Sequence, residues 1–186
     1  MKKLHVSVKL VAGASLAISA IALSNPSAST ATTVMPAGFV GDPPTQAVED
    51  QLAQILPAEL QLKLSVVETS ESATLLYGTS IDGRACVVLL AHDEEDRPVA
   101  ATTCTKDQSR ATTSGSLSAN LGTQKGRWAG AIAPAGYQFG SVDASQVKSS
   151  RPNVILVGTA PNGRIPATVG LTDIKGKQTQ SDLWGV

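Results

Sequence analysis

Two cysteines, Cys86 and Cys104, stand on either side of a charged loop, and that pair constrains the fold of this chain more than any other feature. Between them lie an apolar run at 85–91 (ACVVLLA), the charged stretch 92–97 closed by Pro98, and a second run at 99–104. If Ala91 faces Val99 across the loop, Cys86 faces Cys104. Directly opposed residues of an antiparallel pair hold their Cβ atoms about 4.5–5.5 Å apart, near bridging range. The hairpin and a Cys86–Cys104 disulfide therefore imply each other. Two cysteines cannot complete a four-cysteine metal site or a dense disulfide scaffold. Neither lies in a C-x-x-C motif, so a redox-active pair has no support.

A structural disulfide needs an oxidising compartment, and the N-terminus supplies a route to one. Lys2, Lys3 and Lys9 make a positive start, and residues 10–23 (LVAGASLAISAIAL) are apolar and uncharged. The run suits a secretory leader and falls short of the ~20 residues that span a bilayer. Small residues follow it, with cleavage expected near 29–31; an uncleaved anchor is the alternative. The expected organisation is a signal peptide at 1–31, a flexible linker at 32–44 and a β-rich domain at 45–186, divisible into 58–105 and 115–174. Basic and acidic residues number 15 each, and the leader holds three of the lysines and no acid, so the remainder is mildly acidic. That balance lacks the clustered positive surface that nucleic acid requires, and no membrane span is expected after cleavage.

Residues 45–56 (TQAVEDQLAQIL) place Val48, Leu52 and Ile55 on one helical stripe. Asp42 is expected to cap that helix with Pro43 at its first position, and Pro57 to stop it. The period then changes to two: Leu60, Leu62, Leu64 and Val66 alternate with polar residues, as in a strand with one wet face. Residues 73–79 form another apolar run, and Asp82-Gly83 predicts a tight primed turn into 85–91. Residues 105–126 read as loop with at most one short strand near Leu117. Strands are expected at 127–133 and 137–142, joined at Pro134-Ala135-Gly136. A further strand at 154–159 (VILVGT) is expected to return through Asn162-Gly163 to 165–172, with Pro166 marking an edge. The polar tail ends in Leu183-Trp184, and Trp184 reads as a plug on the sheet, with an exposed anchor as the alternative. Seven or eight short strands with one early helix predict a mainly β fold, an antiparallel β-sandwich or two small stacked sheets with one short N-terminal helix.

The chemistry is sparse. His92 is the single histidine beyond the leader. No G-x-S-x-G elbow, H-E-x-x-H pair or P-loop occurs, so catalytic residues are not identified. The cluster His92-Asp93-Glu94-Glu95-Asp96 lacks the calcium-loop pattern; it reads as a solvated hairpin tip, with a metal or a basic partner as alternatives, and no cofactor or metal is expected. If Ala135-Gly136 closes a two-residue turn, Phe139 faces Ile132. Trp128, Ile132, Tyr137 and Phe139 then share one face. Trp128, Tyr137 and Phe139 are thus candidates for stacking on a sugar ring or a peptide, although the same face would serve as core. These features suggest a secreted or cell-wall-associated bacterial protein, a non-catalytic binding module for an envelope protein or polysaccharide. The alternatives are a small extracellular hydrolase acting through carboxylates such as Asp82, Asp93 or Glu95, and a structural envelope component or secreted inhibitor.

Overall fold

The computed structural model describes residues 33–34, 41–105, 112–113, 116–142 and 146–184; the expected leader lies outside them. The elements in chain order are β1 (Thr33–Val34), α1 (Gln46–Ile55), a 3₁₀ turn (Ala58–Leu60), β2 (Lys63–Thr69), β3 (Ala73–Thr79), β4 (Ala85–His92), β5 (Pro98–Cys104), β6 (Thr112–Thr113), β7 (Leu117–Gly122), β8 (Arg127–Ile132), β9 (Tyr137–Phe139), β10 (Gln146–Lys148), β11 (Val154–Thr159), β12 (Thr168–Asp173) and β13 (Gln178–Asp182). A first sheet has the order β2-β3-β4-β5, a second β10-β11-β8-β7 and a third β13-β12-β9, while β1 and β6 form a short pair. Every pairing is antiparallel. The mainly β fold with stacked sheets and one helix is as the sequence predicts, with a third small sheet added.

The layers run helix, first sheet, second sheet, third sheet, and the side-chain pattern explains why. Val88 and Leu90 of β4 meet Leu52 of the helix. Their neighbours Val87, Leu89 and Ala91 meet Leu117, Trp128, Ile132, Val154 and Leu156 of the second sheet. Ala129, Ala131, Ile155 and Val157, on the other face of that sheet, meet Val169 and Leu183. Strands β4 and β11 are covered on both sides, which is why they read as unbroken apolar runs. Gly130 lies at the centre of the first interface: a Cβ there would come within 2.3 Å of Leu75 Cδ1. A glycine is needed so that Leu75 can seat against the backbone of β8.

Several local expectations change. The helix is capped by Thr45, whose hydroxyl accepts the Val48 N–H, and not by Asp42. Asp42 instead exchanges both backbone hydrogen bonds with Val66 on the edge of β2. The pairing of 127–133 with 137–142 does not form. Both edges of β8 are occupied, by β7 and β11, so the chain crosses at Pro134-Ala135-Gly136 and β9 pairs with β12 in the third sheet. For the same reason Asn162-Gly163 closes no hairpin: β11 is flanked by β8 and β10, and β12 lies in the middle of the third sheet and not at an edge. Residues 117–122 form a full strand, with Leu117 and Ala119 buried between more polar neighbours. The tail contributes β13; Leu183 is fully buried, and Trp184 packs half-buried against the same cluster.

The Asp82-Gly83 turn is a three-residue loop. Ser80 N–H donates to Arg84 O at 3.0 Å, Gly83 N–H donates to Ser80 O at 2.9 Å, and Gly83 takes φ 82°. The same construction recurs at Asp93–Arg97, with Asp96 at φ 60°, and at Asp173–Lys177, with Gly176 at φ 81°. In each, the first side chain accepts the N–H of the fifth residue: Ser80 from Arg84 at 3.2 Å, Asp93 from Arg97 at 2.9 Å, Asp173 from Lys177 at 2.8 Å.

The register of β4 and β5 is the one the cysteines require. Cys86 faces Cys104, the two are bonded, and their Cα atoms are 4.1 Å apart. An intramolecular disulfide fits an oxidising compartment, and no helix among the described residues is long and apolar enough to cross a membrane. Because the bond closes a loop in the unfolded chain, reduction should lower stability by about 2–4 kcal/mol. Denaturant unfolding with and without reductant checks this; coincident curves for the oxidised and fully reduced chain would overturn it.

Candidate functional site

Stacking the first two sheets brings loops from both to one cleft of about 450 Å³. Glu71 and Ser72 come from the β2–β3 turn, His92 and Asp96 from the end of β4 and its turn, Lys125 from the β7–β8 turn, and Thr159, Ala160 and Pro161 from the end of β11. Trp128 lines the cleft from below, and its indole N–H donates to Ser72 Oγ at 3.0 Å.

The walls are joined across the loops. Lys125 Nζ donates to Asp96 Oδ1, and the Gln124 N–H donates to Glu94 Oε1 at 2.8 Å. The Lys125 ammonium holds the Asp96 carboxyl below the usual carboxylate range. His92 Nε2 lies within hydrogen-bond distance (3.2 Å) of the Gln51 side-chain amide nitrogen of α1. That contact is to an amide, and the Asp96 carboxylate lines the same cleft.

The acidic turn beside the cleft is partly tied up by its own arginine. Asp93, Glu94 and Glu95 bring carboxylate oxygens within 4.8 Å of one another. The Arg97 guanidinium, however, bonds Asp93 Oδ2 (Nε 2.8 Å) and Glu95 Oε2 (2.7 Å), two of those three carboxylates. The Arg97 side chain first, and backbone N–H groups after it, keep the Asp93 carboxyl below its ordinary range, and Asp93 in turn raises Arg97.

The three aromatic candidates do not form one surface. Trp128 is 3 % exposed within the core between the first two sheets, so it offers an edge and no face for stacking. Phe139 packs between the second and third sheets, and half-buried Tyr137 pairs with Asp173. Asp82 lies in the turn before β4, and Asp93 and Glu95 in the turn after it. At ~3.4 Å per residue the eight residues of β4 separate those turns by about 27 Å, against the roughly 5–10 Å between the paired carboxylates of glycosidases. Glu71 and Lys125 are not legible in the sequence as site residues: each sits in a short polar turn, and only sheet stacking brings them together.

Further grooves lie among the described residues. One of about 660 Å³ follows the seam of α1 and β2, between Leu52, Leu56, Leu62 and Leu64 on one side and Pro43-Pro44 on the other. Another, of about 530 Å³, crosses the third sheet over Gly140 and Gly170, beside Gln178 and Gln180. Comparison with protein-family models, with curated proteins and with solved structures finds no match to this chain.

Asp82 is held ionised by the Ser80 hydroxyl first and by Arg84 next, which brings its pKa down to about 2. A folded pKa below the unfolded one stabilises the fold above the ordinary carboxylate range and loses that contribution as pH falls toward 2. Asp82→Asn should therefore flatten the acid limb of the stability curve between about pH 4 and pH 2. Unfolding midpoints measured across that window check it, and a limb as steep as the parent's would contradict the assignment.

Proposed function

We propose that this chain is exported from the cytoplasm and binds a small polar component of the cell envelope, a saccharide, in the cleft between its first two sheets, without catalysis. The observation that carries the reading is the convergence of loops from two sheets on one cleft whose walls are already tied together by Lys125–Asp96 and Gln124–Glu94. Loops on a rigid scaffold are the common place for binding residues, and walls fixed before the ligand arrives lower the ordering cost of binding. The lining offers a hydroxyl group, two carboxylates, an imidazole and an ammonium, which is the hydrogen-bonding chemistry that sugar hydroxyls need. The non-catalytic part of the reading is supported by the engagement of His92 with Gln51 and by carboxylates committed to arginine.

Export is supported by the leader-like first 31 residues and by the disulfide. Protein collected from the medium of a secreting bacterial host should begin near residue 30 or 32; an N-terminus at Met1, or material confined to the cytoplasm with two alkylatable thiols, would defeat that half of the proposal. For the cleft, amide and indole NMR spectra titrated with soluble cell-wall oligosaccharides should shift at Trp128 Nε1, Lys125 and Asp96. Lys125→Ala should weaken binding several-fold by freeing one wall. Shifts confined to the α1–β2 groove or to the third sheet, or no shifts, would refute the cleft as the site.

A further inference from the structure

Resting on that reading, we infer that the ligand carries a cationic amine among its hydroxyls, the chemistry of an amino sugar whose amino group is free. The cleft holds more acid than the cations that line it. Asp96 and Lys125 line the cleft and are bonded to each other. Arg97, the cation of the neighbouring turn, is committed to Asp93 and Glu95. Glu71, an exposed lining residue, has no bonded cation among the described residues, so the cleft presents one carboxylate that neither Lys125 nor Arg97 compensates. A ligand ammonium is the group that this carboxylate recognises best, through a charge-assisted hydrogen bond.

The rest of the lining fits the rest of a sugar. Ser72 Oγ accepts the Trp128 indole proton, which leaves its own proton to donate. Ala160 with Pro161 gives the C–H face of a ring an apolar surface to lie on. N-acetylation would remove the positive charge and place an amide against Glu71. A uronic acid would set like charges against each other. The cleft therefore discriminates by charge within one class of hydroxyl-rich ligand.

The test compares the glucosamine trisaccharide with its fully N-acetylated counterpart, by calorimetry and amide NMR on the purified full chain, at low and high salt. The free-amine sugar should bind more tightly by about fivefold, the effect of one exposed ion pair. That preference should shrink at high salt, and Glu71→Gln should abolish it while leaving the Trp128 indole resonance in place. Equal or tighter binding of the acetylated sugar in the cleft would overturn the inference while the binding reading stands; no shift in the cleft with either sugar would remove both. Cadaverine, an amine without hydroxyls, should bind more weakly than the sugar, and equal affinity would overturn the amino-sugar assignment. The salt dependence of the unmodified chain reads the same charge, so the inference stays open to refutation even if the substitution disturbs the turn.

Discussion

The contact between Leu75 and Gly130 is the point on which the layered structure turns. Leu75 is fully buried, and its side chain occupies the space a Cβ on residue 130 would take. Without that allowance the first and second sheets could not close to packing distance, and the apolar residues of β4 would have no partner layer. Around it, Ala119, Ala129 and Ala131 keep β7 and β8 slim enough for the second sheet to be covered on both faces. Burial on this scale is the main favourable term in folding, and here it is shared among three interfaces built on the central strands. The clamp between β4 and β5 then works on a hairpin already fixed by packing.

The sequence showed strands whose environment is local and concealed those whose partners are remote. Residues 85–91 and 154–159 were legible because a strand covered on both faces must be apolar at every position. The β4–β5 register was legible because two cysteines had to meet. Strand order was not, because a turn such as Pro134-Ala135-Gly136 or Asn162-Gly163 looks the same whether it closes a hairpin or passes the chain to another sheet. What decided the matter was the occupancy of the edges of β8 and β11, a property of the assembled sheet. Strand β7 was obscured by its small residues, since serine, alanine and asparagine alternate too gently to register as a period of two. Of the cleft, His92, Asp96 and Trp128 drew attention as isolated oddities; Glu71 and Lys125 did not, because their proximity is created by stacking.

The charged residues of the hairpin turns show how the molecule keeps its loops in place. Ser80–Arg84, Asp93–Arg97 and Asp173–Lys177 begin with a side chain that accepts backbone N–H groups and end with a basic residue. In the first two, the arginine folds back onto a carboxylate of the same turn. Such pairs are worth little as surface ion pairs. Their effect is geometric: they determine where the carboxylates point. Acidic side chains that would otherwise suit a metal or a proton-transfer role are thereby turned into struts.

The two half-cystines have a consequence for how the chain matures. A chain with four or six thiols must select among several bridges and undo the wrong ones. This chain can form one intramolecular bridge only, and its thiols belong to neighbouring strands joined by a short loop. Oxidative folding therefore has no scrambled isomers to repair: once a thiol oxidant is met, no disulfide isomerase is called for, and the remaining danger is cross-linking between two molecules before the hairpin has closed.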